Sequence, residues 1–356
     1  MARLGEKLHI YIYYTYMRMS LMSLNSLICF ADDLKTPIKT NCIEFIKEEV
    51  PCADNPCYED NDSDDSDASS SSSARDVTDV TFGRKGRAVG EFQNATGITY
   101  VDGCHILVAD MVNGRIQKCT SSGKILVVYG GAEIREPWCT CLTSDGDIAL
   151  TCRRRKNVLV VSADGEIKWS FGTGFFQAPS GICTDAVGNF IVTDAGANRV
   201  SIHDKRGTFI KYIGNAQIKE QAFSSPRYVC VSHNGDVIVS DSGNHAVKMF
   251  DKNGHFIRSI GSFGKGDGQL KTPYGVCTDA LGHVLVADHY NNRVCMFTHE
   301  GQFVCHVVGE KHGVVHPKAL ALDAKLNLYV STGHLKACTI NVFKLTFKNM
   351  DIVVHV

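Results

Sequence analysis

Residues 179–214 read PSGICTDAVGNFIVTDAGANRVSIHDKRGTFIKYIG. Four short runs carry most of the apolar and β-branched residues: Gly181–Asp185, Phe190–Thr193, Arg199–Asp204 and Phe209–Ile213. They have the length of strands, and nothing between them has the period or length of a helix. Val187-Gly188-Asn189, Ala195-Gly196-Ala197-Asn198 and Lys205-Arg206-Gly207 divide them. Glycine and asparagine accept the backbone conformations of tight turns, so the segment reads as four antiparallel strands.

The pattern recurs along the chain. A turn glycine stands at Gly123, Gly165, Gly207, Gly254 and Gly301, at spacings of 42, 42, 47 and 47 residues. A second glycine follows an apolar run at Gly130, Gly172, Gly214, Gly261 and Gly309. A third column ends the second run at Asp110, Cys152, Asp194, Asp241, Asp288 and Thr332, and a fourth is Ala95, Pro137, Pro179, Pro226, Pro273 and Pro317. Columns that keep step over six copies exclude coincidence. Four strands per repeat of this length predict a β-propeller blade, and blades must stack radially because none buries both faces alone. The expectation is an all-β, six-bladed propeller over residues 77–356. Its copies fall at about 83–130, 131–172, 173–214, 215–261, 262–309 and 310–356. Ring closure needs a blade built from both chain ends. Val77–Phe82 and Asp351–Val356 compete for the outer strand of the sixth blade, and the N-terminal segment is expected to take it.

Composition fits this reading. At 44% hydrophobic and 21% charged, the 356-residue chain is globular rather than disordered or fibrous. No apolar run reaches the roughly 18 residues of a spanning helix, so no membrane association is expected. Residues 1–76 hold 7 basic and 14 acidic residues and the remainder 30 and 24, so a mildly basic body follows an acidic segment. Within that segment, residues 59–76 read EDNDSDDSDASSSSSARD, which cannot bury enough area to offset ordering entropy. Residues 1–76 are therefore expected to be mostly disordered, with Ser63 and Ser66 more simply part of a solvated linker than phosphorylation sites. The fifteen cysteines are odd in number, and Cys183 and Cys277 lie in apolar runs. Such usage suits free thiols in a reducing compartment, and a cytoplasmic location follows as the expectation. Met19 to Phe30 resembles a weak signal peptide, which leaves secretion as the minor alternative.

Two stretches carry a family resemblance. Gly90-Glu91-Phe92, Gly97-Ile98, Leu107-Val108-Ala109-Asp110 and Asn113-Gly114-Arg115-Ile116 resemble the NHL repeat. So do Pro273-Tyr274-Gly275-Val276, Val286-Ala287-Asp288 and Asn291-Asn292-Arg293-Val294. The chain is similar to the C-terminal six-bladed propeller of TRIM-NHL proteins. That resemblance implies a module recognising protein or RNA. In the family a RING, B-boxes and a coiled coil confer ubiquitin ligase activity. None of their spacings occurs here, so ligase activity is expected only in the company of such a segment. The second and sixth copies depart from the pattern, with Cys152 and Thr332 for the Asp and Asn157 and Ala337 for the Arg. Less regular blades are expected there.

Three groups of residues are candidates for function. The pairs Asp110/Arg115, Asp194/Arg199 and Asp288/Arg293 place an acid at the end of a second strand and a guanidinium at the start of the third. Their repetition marks scaffold rather than catalytic acid–base pairs, with the acid accepting loop N–H groups and a bidentate arginine. Histidines are the second group. Related propellers include lyases and lactonases with channel-lining His, Asp or Glu around a metal. Here His245, His289, His255 and His299 are scattered, and no inner-strand register repeats histidine. A channel enzyme of lyase or lactonase type is thus the alternative reading; no catalytic residue, cofactor or metal is expected.

Surface charge is the third. Arg153-Arg154-Arg155-Lys156 fills the second-to-third-strand loop of the second copy, and Arg84, Lys85 and Arg87 lie in the long loop entering the first. Blade topology places both loops on one face. Long loops with the apolar anchors Phe92, Phe223 and Leu270 enter copies one, four and five. The residue after the proline column should ring the channel mouth, where it reads Thr96, Trp138, Ser180, Arg227, Tyr274 and Lys318. Its variety of aromatics and cations suits a binding site, with simple packing between blades as the competing account. A protein partner is expected in preference to single-stranded RNA, since the basic excess is modest, and no DNA partner is expected.

Overall fold

The computed structural model describes residues 80–103, 105–333, 336–348 and 351–355. The acidic segment 59–76 and the rest of residues 1–79 lie outside them. Five sheets contain four strands each, hydrogen-bonded in chain order. The sheet of blade one is Ala95–Asp102, His105–Asp110, Arg115–Thr120 and Ile125–Gly130. Blade three follows the opening segment almost to the residue: Pro179–Thr184, Phe190–Asp194, Arg199–His203 and Phe209–Ile213. Blade two, expected to be less regular, has four full strands, because Cys152 and Asn157 still pair across its second-to-third-strand turn. Each inner strand packs against that of the next blade, and the sixth against the first. The ring is closed.

Residue size sets how closely the blades approach. A Cβ on Gly275 would lie 2.6 Å from the Lys318 carbonyl oxygen just before the next inner strand, and one on Gly181 would lie 2.7 Å from the Tyr228 Cα. Only glycine admits that contact. The second strand of each blade is nearly all buried, as in Val237–Asp241 and Val284–Asp288, while outer strands such as Phe209–Ile213 stay largely exposed. Burial of both sheet faces explains why the second strands read as continuous apolar runs rather than as an alternation.

Blade six corrects the expected closure. Its first three strands are Leu320–Leu322, Asn327–Thr332 and Thr339–Lys348. Val80–Phe82 pairs antiparallel with Ile340–Val342, and Asp351–His355 pairs with Lys344–Lys348 along the same edge. The two chain ends do not compete; they share one outer-strand position end to end, because the third strand is ten residues long and offers room for both.

Candidate binding site on the top face

The top face carries the loops between second and third strands and the loops between blades, and a buried carboxylate anchors it in four blades. Asp110 Oδ1 accepts the Gln93 and Asn94 N–H groups at 2.9 and 3.3 Å, while Oδ2 accepts Asn113 Nδ2 at 2.6 Å and Arg115 Nε at 3.2 Å. Arg115 spends its remaining donors on the carbonyls of Arg87, Ala88 and Glu91. Asp288 repeats the design with Lys271 N–H, Asn291 and Arg293, and Arg293 also reaches the Gly266 and Gln269 carbonyls. Asp194 accepts the Gln177 and Ala178 N–H groups, but Arg199 Nη2 stays 3.7 Å away and donates to Phe175 O instead. The arginine contact is therefore single or longer, not bidentate, because loop carbonyls claim the other nitrogens. Each unit straps the incoming loop to its blade, and several donors offset the cost of burying the carboxylate.

Two basic loops flank this scaffold. Arg84, 82% exposed, pairs with Glu91 at 2.9 Å. Glu91 lies below the usual carboxylate range, held first by the Ala88 N–H and then by Arg84. Arg155 pairs with Glu133 at 2.5 Å. Lys85, Arg87, Arg154 and Lys156 are exposed, and Arg153 is half-buried. Arg154 edges a surface cavity of about 480 Å³ shared with Met111, Val112, Ile134 and Arg135.

At the axis, side chains from several blades meet. Tyr228 of blade four donates its hydroxyl to the Thr96 carbonyl of blade one, across the ring. Trp138 of blade two and Tyr274 of blade five flank Tyr228, with ring centroids 6.4 and 6.2 Å away. The Arg227 guanidinium lies 4.8 Å from the Tyr274 ring and 5.5 Å from Trp138, whose ring Arg153 also approaches at 4.8 Å. Lys318 Nζ donates to Asn94 Oδ1 at 2.8 Å. Thr96, Trp138, Ser180 and Lys318 are buried, leaving Arg227 and Tyr274 as the half-exposed members of this column. His289 stacks on Tyr274 at 4.2 Å, and its Nδ1–H donates to Pro317 O at 3.0 Å. Tyr290, 52% exposed, packs on His289 at 4.7 Å, and Phe263, 63% exposed, packs on His245 of blade four at 4.8 Å.

The NHL repeat family model matches residues 223–250 and 270–297, the loop entry and first three strands of blades four and five. Two blades of this propeller are NHL repeats. A stretch of 140 residues is 28% identical to Protein brain tumor of Drosophila melanogaster, covering 37% of this chain and 14% of that protein. The chain thus matches about a seventh of that relative's length. Virginiamycin B lyase from Staphylococcus aureus superposes with a TM-score of 0.56 at 17% identity, over 77% of this chain and 87% of the lyase. A gluconolactonase from Xanthomonas campestris gives 0.56 at 15% identity, over 75% of this chain and 96% of that one. At such identities the likeness is one of fold.

Several NHL-repeat features escaped the sequence reading. Blade four lacks the arginine, yet Lys248 Nζ takes its place 2.8 Å from Asp241 and also donates to the Ala222 carbonyl. Its offset of seven residues rather than five hid it. An asparagine three residues after the acid, at Asn113, Asn244 and Asn291, donates to the carboxylate in each case. That column is legible in the sequence, since it keeps step with the acids. Among the described residues, no three His, Cys, Asp or Glu side chains are grouped so as to hold a metal ion.

Proposed function

We propose that this chain is a non-catalytic recognition module that binds a protein partner through its top face. The observation carrying this reading is the closure of the axis beneath an open aromatic rim. Trp138, Tyr228 and the Tyr228–Thr96 bond pack at the centre, which favours a surface site over a reaction channel. Tyr290 and Phe263 are exposed on top-face loops strapped by the buried Asp288, the combination of rigid support and exposed aromatics that anchors protein interfaces. The NHL repeats support the same role, as does the resemblance to TRIM-NHL propellers, which supply target recognition to a ligase or a post-transcriptional regulator.

A photo-crosslinking residue tests it directly. Placed at Tyr290, it should capture protease-sensitive adducts in cells. Placed at Val187, which is 74% exposed in a turn on the opposite face, it should not. Nuclease-sensitive adducts at Tyr290 would transfer the face to RNA, and equal capture at both positions would sink the proposal.

A further inference from the structure

Several cations elsewhere on this propeller have acids beside them. Arg115, Arg293 and Lys248 meet buried aspartates, Arg84 meets Glu91, Arg155 meets Glu133 and Lys168 meets Asp147. The axis is different. Arg153 of blade two, Arg227 of blade four and Lys318 at the start of blade six converge there. Among the described residues none of the three has a carboxylate within ion-pair distance. Glu136 is the acid whose field reaches Arg153. The Arg227 Nε is buried without a hydrogen-bond partner, and its guanidinium lies over two aromatic faces. Their fields oppose one another: Arg227 disfavours the charged forms of Arg153, Lys318 and His289. Gathering like charges beside buried aromatic rings costs free energy that an incoming anion would recover.

We infer that this centre is a socket for one anionic side chain of a partner peptide, a carboxylate or a phosphorylated residue, with apolar neighbours laid over Tyr290 and Phe263. The inference rests on the protein-recognition reading above and adds the chemistry of the ligand. A point socket suits a peptide better than a nucleic-acid backbone. A backbone needs a continuous track of free cations, whereas Arg84 and Arg155, one in each basic loop, are already paired with acids. The aromatic frame adds shape selection and strengthens the guanidinium contacts by holding them in place.

Lys318 adds a pH signature. Burial first, then repulsion from Arg227 and Lys336 working against a pull from Cys338, brings its pKa down to about 8. Asn94 is its neutral partner, and His289, near it in blade five, is uncharged at neutral pH. An anion binds the protonated form, so affinity should be greatest below about 8 and decline as pH rises through that value.

Phage-displayed random heptapeptides selected on the propeller, with counter-selection on Arg227→Gln, test the socket. Selected sequences should share one Asp or Glu beside aromatic or aliphatic residues. Changing that acid to its amide should weaken binding about ten- to a hundredfold. Arg227→Gln and Lys318→Met should each do the same, while Arg227→Lys, which keeps the charge, should retain most of the affinity. Synthetic peptides with phosphoserine in place of the acid separate the two sources: tighter binding assigns the socket to a phosphorylated residue, weaker binding to a carboxylate. A shared sequence with no acid, still dependent on Tyr290, would overturn the socket and leave protein recognition standing. Absence of any selected sequence, or Arg227-dependent binding of single-stranded RNA, would overturn both.

Discussion

Tyr274 and His289 lie ring on ring, 5° from parallel, and the stack explains why the imidazole is neutral. Burial is the main cause of a pKa near 4; the Pro317 carbonyl pulls the other way, and Lys318, His316 and Arg227 add repulsion. The unfolded chain takes up this proton at an ordinary pKa near 6.5, well before the folded one does. Stability should therefore be intact above about pH 6.5 and fall as pH drops toward 4, by up to roughly 3 kcal/mol for this group. Urea unfolding across that range should show the loss, and His289→Gln should reduce it. His203, also shifted down by burial, has the same sign and will keep part of the acid limb. A variant whose acid limb matches the parent would show that His289 is not the group responsible. Sequence alone offered no hint of this histidine's state. His289 was legible as a loop residue beside the acid column, but its stacking partner comes from the inner strand of the same blade and its acceptor from the next one.

The inner strand is the element whose sequence constrains the fold most tightly. Gly97, Gly181 and Gly275 occupy the same place in blades one, three and five, where the following blade supplies Cys139, Tyr228 or Ala319. Gly275→Ala would press a methyl group into backbone rather than into a yielding side chain. We expect a loss of about 1–3 kcal/mol in equilibrium unfolding, against under 1 kcal/mol for alanine at Gly266, whose nearest neighbour is the flexible Gln269 side chain. Equal effects would mean that the blades can slide apart to make room. Strand positions were legible because glycine, proline and aspartate mark turns by local chemistry. The neutralisation of Arg84 and Arg155 was not, since it depends on how the inter-blade loops fold back.

Across the whole molecule, the Tyr228 hydroxyl joins blades that are opposite in the ring, over a sequence separation of 132 residues. No local pattern announces such a strut. Tyr228→Phe keeps the ring packing and leaves the buried Thr96 carbonyl without that donor, so about 1–2 kcal/mol of stability should be lost. Hydrogen exchange should then quicken in blades one and four together. Exchange confined to blade four would show that the strut carries no load between blades. Six-fold repetition was evident from the first column counted, whereas closure was only half evident. Both terminal segments look like outer strands, and nothing in their residues says that one edge is long enough for two.

That shared edge has a topological consequence. Val80 sits opposite Val342, and His355 sits opposite Lys344, so the two segments meet head to tail with only Phe343 between their partners. The outer strand of blade six is in effect one strand with a nick. A chain in which a few glycines join His355 to Val80, with new ends opened at the exposed Asn215–Gln221 loop, would move the seam elsewhere and leave the sixth outer strand unbroken.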